Sequence, residues 1–329
     1  MEVLSSQIFI VVNRIHGEYT YILFWQSGAG KMNNEFLELR KLSLYIEFFG
    51  EKTNTPVFLI MGACSQGLYW TNEFCERLAK ESYYVIRYDH RDTGKSSAVN
   101  ISENPYNILD LMLDAYRVLE HVKVDRAHIV GSSMGGVIAQ LLAINFPHKI
   151  LSLTVLSSTT DLSMLPAAIH GGSELCQSDL PYPWPLAMKM LTDKMPAPTD
   201  EMSIIKNQVA SWCVLNGTDA PFDEMFFTKL AEQAYARTDH WDSAGNHIQA
   251  IANTRFCHAP QLNLIKAPTL VIHGTSDPLV PIEHGESIVK SMPSAKWLKI
   301  NGMGHILTPY FMEVVISNIL NHFCNKFQQ

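Results

Sequence analysis

At 329 residues the chain exceeds the usual length of one core, yet α/β folds commonly run past about 200 residues as a single unit, so one core with an insertion accommodates it. With 47% apolar and 17% charged residues the chain can bury a large core, which excludes an intrinsically disordered protein. The net charge of −7 comes from scattered acids without any Lys/Arg-rich run, so neither a nucleic acid nor an anionic membrane is an expected partner.

Residues 1–31 show no clear period of 2 or 3.6 and end in Ser27-Gly28-Ala29-Gly30-Lys31, so they read as an appendage. Met32 after Lys31 breaks the phosphate-loop pattern G-x-x-x-x-G-K-[ST]. The one apolar run there, Ile8 to Val12, lacks the basic flank and the length of a signal peptide, and no segment of the chain approaches the ~20 apolar residues that span a bilayer. The expectation is a cytoplasmic protein whose domain begins at Met32, a candidate translation start.

From Leu42 short apolar runs alternate with amphipathic stretches. Leu44 to Phe49 reads as a strand turned at Gly50, Val57 to Met61 as a buried strand, Trp70 to Lys80 as a helix and Tyr84 to Tyr88 as the next strand. Ile108, Leu111, Met112, Ala115, Leu119 and Val122 share one helical face; Ala127 to Val130 is a strand, Met134 to Asn145 an apolar helix and Leu151 to Leu156 a further strand. This repetition predicts a mostly parallel sheet with helices on both faces. The rhythm breaks between Asp161 and Leu262, where Pro166, Pro181, Pro183, Pro185, Pro196, Pro198 and Pro221 punctuate short helical pieces, and returns with a strand at Thr269 to His273, a helix near Glu283 to Met292, a strand at Trp297 to Ile300 and a helix from Phe311 to Phe323. Residues 161–262 are therefore expected to form a helical cap inserted after the sixth strand of a core made of 32–160 and 263–329. An insertion there overhangs the carboxyl ends of the strands, where open parallel sheets bind ligands.

Gly131-Ser132-Ser133-Met134-Gly135 is a G-x-S-x-G run between a strand and a helix, the setting in which the central serine is thrust onto a sharp bend. Gly131 and Gly135, lacking Cβ atoms, allow strand and helix to approach beside it. A serine hydroxyl needs a base to take its proton and an acid to orient that base. Asp277, four residues beyond His273, and His305, in Gly302-Met303-Gly304-His305, both fall in loops after strands at the same end of the sheet. The order Ser133, Asp277, His305 is that of the α/β-hydrolase architecture. Asp161 is the alternative acid, with helix capping as its other reading.

Oxyanion charge calls for two preorganised donors. The Met134 N–H is expected to be one and the Ala63 N–H the other, with Gly62 as fallback; Ser65 either adds a side-chain contact or forms a turn. The polar stretch Tyr88 to Ser96 reads as a solvated turn with internal salt bridges. None of the thirteen histidines has zinc-ligand spacing, so no metal and no cofactor are expected. The six cysteines show no C-x-x-C pair and sit in apolar segments; reduced, structural thiols are expected, Cys64 included.

Val85 to Ser96 and Val130 to Gly135 resemble the α/β-hydrolase superfamily, specifically its aclacinomycin methylesterase-type branch. The similarity continues at Trp212 to Thr218, Pro221 to Asp223, Pro268 to His273 and Gly302 to His305, covering about residues 42–322. It implies hydrolysis of a carboxylic ester, a methyl ester of a bulky apolar acid, and it would place glycine where Ala63 stands. The aromatic run Pro181 to Leu186 either offers surface to such a small-molecule substrate or packs the cap on the core; no substrate-binding residue is assigned. The same triad also serves amide, thioester or carbon–carbon hydrolysis and perhydrolysis, and the fold can persist as a non-catalytic ligand receptor.

Overall fold

The computed structural model describes residues 33–170, 179–193, 200–254 and 257–324, with the backbone alone for Ala168 and His170, and the backbone of 7–15 and 18–26. Near the amino end, β1 (Gln7–Ile15) and β2 (Glu18–Gln26) pair as an antiparallel two-stranded sheet hydrogen-bonded apart from the main one. Periodicity hides this hairpin because both runs are apolar, aromatic and β-branched on alternate and adjacent positions alike, a composition that favours strands without marking a buried face.

The main sheet has eight strands. β3 (Asn34–Leu39) and β4 (Leu42–Phe49) form a hairpin; β5 (Thr55–Ile60) is followed by α1 (Asn72–Lys80), β6 (Tyr83–Tyr88) by α2 (Ile108–His121), and β7 (Ala127–Ser132) by α3 (Met134–Asn145) and β8 (Ile150–Leu156). Among the described residues five helices then intervene: α4 (Met164–His170), α5 (Pro185–Thr192), α6 (Glu201–Leu215), α7 (Glu224–Ala236) and α8 (Asn246–Ala252). The sheet resumes with β9 (Thr269–Gly274), α9 (Ile282–Ser291), β10 (Lys296–Ile300) and α10 (Pro309–Cys324). The spatial order is β10-β9-β8-β7-β5-β6-β4-β3, with β5 to β10 parallel, β4 antiparallel to β6 and β3 antiparallel to β4. Sequence patterning misses β3 because only Leu37 of its six residues is fully buried at this charged edge.

Strand alternation divides the core between two faces. Phe58 and Ile60 of β5 pack with Ile129, Leu153 and the apolar stripes of α2, α3 and α9. Val57 and Leu59 point the other way, to Phe74 and Leu78 of α1 and Val315, Ile316 and Ile319 of α10. Each such side chain contributes about 1.5–3 kcal/mol on burial. The inserted helices make a smaller core of their own, in which Trp212, Phe227 and Leu230 meet Leu68 from the loop after β5. Among the described residues no helix is long and apolar enough to cross a membrane.

Candidate active site

The bend after β7 positions Ser133. Its φ of 54° and ψ of −122° lie where side-chain-bearing residues are strained. The surroundings enforce it: the Ser133 N–H donates to Leu156 O at 2.9 Å and Ser158 Oγ donates to Ser133 O at 2.7 Å. A Cβ on Gly131 would stand 2.2 Å from Gly135 O, and one on Gly135 2.2 Å from Ile60 O, so β7, α3 and β5 meet only because both residues are glycine.

The structure brings Ser133, Asp277 and His305 together. His305 Nε2 lies 3.0 Å from Ser133 Oγ, and His305 Nδ1 lies 2.8 Å from Asp277 Oδ2. The His305 backbone is tied by its N–H to Leu215 O at the end of α6 (2.7 Å), so the insertion helps place it. Asp277 is fully buried; its Oδ1 accepts the backbone N–H groups of Leu279 (3.0 Å) and Val280 (2.8 Å). Burial pushes its carboxyl upward, but His305 and the donors around it outweigh burial and hold it well below the usual carboxylate range. His273, also fully buried, donates from Nε2 to Val280 O at 2.7 Å and sits 3.4 Å from Asp277 Oδ2, backing the carboxylate from β9.

Met134 opens α3, so its N–H has no intrahelical acceptor, and the N–H of Ala63 has no acceptor among the described residues. Both residues border the cavity that holds Ser133 and His305, and Gly62 packs so close that a Cβ on it would stand 3.1 Å from Ser133 Cβ. Ser65 Oγ turns back to Ala63 O at 3.0 Å, a local turn. Asp161 accepts Ser163 N–H at 2.8 Å, an Asx turn leading into α4, while the carboxylate on His305 is that of Asp277.

The cavity measures about 310 Å³. Its wall joins Ser133, Met134, Ala63 and His305 of the core to Met164, Leu165, Trp212, Leu215, Phe227 and Leu230 of the insertion, an apolar chamber with a few convergent polar groups. From the Pro181 to Leu186 run only Pro183 reaches the cavity; Tyr182, Trp184 and Leu186 are exposed, and the run is held by Trp184 N–H on Pro278 O (2.7 Å) and Pro181 O on His284 (2.9 Å).

The expected solvated turn at Tyr88 to Ser96 is instead largely buried. Its charges are satisfied from outside: Asp89 accepts Gly67 N–H and Arg237 of the insertion, and Arg91 pairs with Asp114 of α2. Local sequence cannot reveal such partners. Two histidines that sequence reasoning did not select, His90 and His247, border the Ala63 loop; the first carries only the weak signal of following a buried strand, the second none.

The five described cysteines are unpaired, and Cys176 lies outside the described residues. Cys213 and Cys324 are exposed, against the expectation that all sit in apolar surroundings; Cys75 is buried, and burial pushes the Cys64 thiol up to about 12, far from a reactive thiolate. Among the described residues no three His, Cys, Asp or Glu side chains group as metal ligands.

The family pattern described as alpha/beta hydrolase fold matches residues 55–309. The chain is 34% identical over 287 residues to the rhodomycin D methylesterase of Streptomyces peucetius, covering 86% of this chain and 95% of that protein. It is equally 34% identical over 286 residues to the rhodomycin D methylesterase of Streptomyces sp. (strain C5), with 86% and 95% covered. Among solved structures, a hydrolase from Pseudomonas aeruginosa PA01 superposes with a TM-score of 0.67 at 21% identity, over 90% of this chain and 100% of that one, a likeness of fold alone.

Proposed function

The chain belongs to the α/β-hydrolase fold family, and from that premise we propose that it is a serine esterase acting through Ser133, His305 and Asp277 on a carboxylic ester with a bulky apolar acid part. The observation that carries this reading is the unbroken hydrogen-bonded line from Asp277 Oδ2 through His305 to Ser133 Oγ at the wall of an apolar cavity. Asp277, ionised, holds the proton on His305 Nδ1 and so leaves Nε2 free as a base. His305 accepts the Ser133 proton as Oγ attacks the ester carbonyl, and the Met134 and Ala63 N–H groups receive the oxyanion. His305 then protonates the departing alcohol, leaving an acyl-enzyme, and activates water to release the acid.

Residues 161–262 act as the cap: their apolar side chains enclose the acid part and exclude water from the reacting atoms. The 34% identity to proteins named rhodomycin D methylesterase supports a methyl ester, whose small alcohol needs little room, and the apolar cavity supports a bulky apolar acid part. Residues 1–31 are read as an amino-terminal extension, and no part in this mechanism is assigned to them.

The test combines labelling by a fluorophosphonate with turnover of an ester panel that includes methyl esters of polycyclic aromatic acids. Wild type is expected to be labelled at Ser133 and to hydrolyse those esters, and Ser133→Ala to lose about 10⁶ in turnover. Activity surviving in Ser133→Ala, or a wild type that resists the label, refutes the proposal.

A further inference from the structure

Three consecutive peptide units follow β5, and the middle one, Gly62–Ala63, carries the Ala63 N–H. The units on either side are each held by a buried histidine. His90, two residues past the end of β6, lies with Nε2 2.9 Å from Met61 O. His247, from α8 of the insertion, lies with Nδ1 2.9 Å from the Cys64 N–H.

The partners dictate the protonation of both rings. His247 Nδ1 faces an N–H and must accept, so its proton is on Nε2, which donates to Arg91 O at 2.9 Å. His90 Nε2 faces a carbonyl and must donate, so its Nδ1 accepts from Tyr88 OH at 3.1 Å. Both rings are thus neutral and carry the proton on Nε2. Burial favours that state, pushing His90 down to about 3 and His247 to about 4, and with the rings edge to face at 5.6 Å His247 further disfavours charge on His90.

The middle unit needs such restraint. Gly62 has no Cβ to limit its rotation, and Cys64 is held at φ 56°, a conformation the loop would leave if its N–H were released. Resting on the esterase reading above, we propose that His90 and His247 are positioning residues that clamp the two ends of the Met61 to Cys64 loop and so aim the Ala63 N–H at the oxyanion. Because His247 belongs to the insertion, the clamp makes the oxyanion donor depend on the cap being docked.

Amide side chains separate this role from simple packing. Asparagine places its oxygen near the position of histidine Nδ1, and glutamine its amide nitrogen near that of Nε2. His247→Asn therefore keeps the acceptor for Cys64 and His247→Gln loses it, whereas His90→Gln keeps the donor to Met61 and His90→Asn loses it. With an ester that wild type hydrolyses, the two losing variants are expected to drop kcat about tenfold or more with KM within about twofold, and the two keeping variants to stay within about threefold of wild type in kcat. Equal activity of Asn and Gln at both positions, or losses confined to KM, overturns the clamp. Nitrogen NMR of the wild-type histidines checks it without mutation: both rings are expected as the neutral Nε2–H form, and a proton on Nδ1 of either overturns the proposal. A wild type that neither hydrolyses esters nor takes the fluorophosphonate label refutes the esterase reading itself, whereas an active, labelled wild type without the crossed pattern refutes the clamp alone.

Discussion

Replacing Asp277 by asparagine exchanges one carboxylate oxygen for an NH₂ group, and the surrounding donors decide which way the amide sits. Position Oδ1 receives two backbone N–H groups, from Leu279 at 3.0 Å and Val280 at 2.8 Å, so the amide oxygen must remain there. Turning the amide over would set its NH₂ against both donors inside a fully buried pocket and leave them without acceptors, at about 1–3 kcal/mol each. The NH₂ therefore occupies the Oδ2 position, 2.8 Å from His305 Nδ1. A donor there forces His305 Nδ1 to accept and moves the ring proton to Nε2, which then points at Ser133 Oγ and cannot take its proton. The geometry is preserved while the base is lost. The expected fall in kcat for Asp277→Asn is about 10⁴, roughly 5.5 kcal/mol of barrier, the magnitude this tautomer error carries in serine proteases. Steady-state ester hydrolysis measures it, with thermal unfolding confirming that the fold is kept. A variant within tenfold of wild type would show that His305 does not depend on Asp277 for its tautomer, and the reasoning would fail.

Acid stability follows from four buried histidines: burial pushes His90 down to about 3 and His128, His247 and His258 to about 4. Their unfolded forms bind a proton near pH 6.5, so the unfolded chain takes up more protons; the stability is complete above about 6.5 and is lost as pH falls toward 4, by about 1.4 kcal/mol per pH unit for each ring. The melting temperature is expected to drop steeply over that window, and a flat profile from pH 7 to 4.5 would contradict the neutral burial of these rings. Gly135→Ala puts a methyl 2.2 Å from Ile60 O and 2.5 Å from Met61 O, both backbone atoms at the sheet centre; at least about 1–3 kcal/mol of stability and most esterase activity should go, and a melting temperature equal to wild type would refute the packing argument. Arg237→Met leaves the fully buried Asp89 without its cation at 3.0 Å, so the urea midpoint should fall by the equivalent of about 3–5 kcal/mol, and an unchanged midpoint would deny that this pair anchors the end of α7 to the core.

Much of this protein is legible along the chain because its signals are local. Hydrophobic runs of four to six residues ended by turns mark β5 to β9, and helical spacing marks α2, since strand and helix periods are properties of neighbouring residues. Ser133 could be singled out because strand, bend and helix lie within one short window. Asp277 and His305 could be proposed because loops after parallel strands all open at one end of the sheet, and the structure does bring those three side chains together. The charged edge strand β3 escapes the same reading because it has no clean buried face for a period to report, and the amino-terminal hairpin escapes it because its apolar residues fall on adjacent as well as alternate positions of the sequence.

The amino-acid sequence by itself determined the order of the core elements from β4 onward, the fold family and the candidate nucleophile, base and acid, because each rests on residues close in the chain or on a connection rule common to parallel sheets. Only the tertiary structure decided the environment of those groups. Tyr88 to Ser96, polar in sequence, is buried because Arg237, Asp114 and Gly67 reach it from distant segments. The cavity wall is drawn from helices of the insertion and from the core together, and His247 meets Cys64 across 183 residues of chain. Burial of a polar group depends on partners that satisfy it in space, and neither periodicity nor motif records who those partners are.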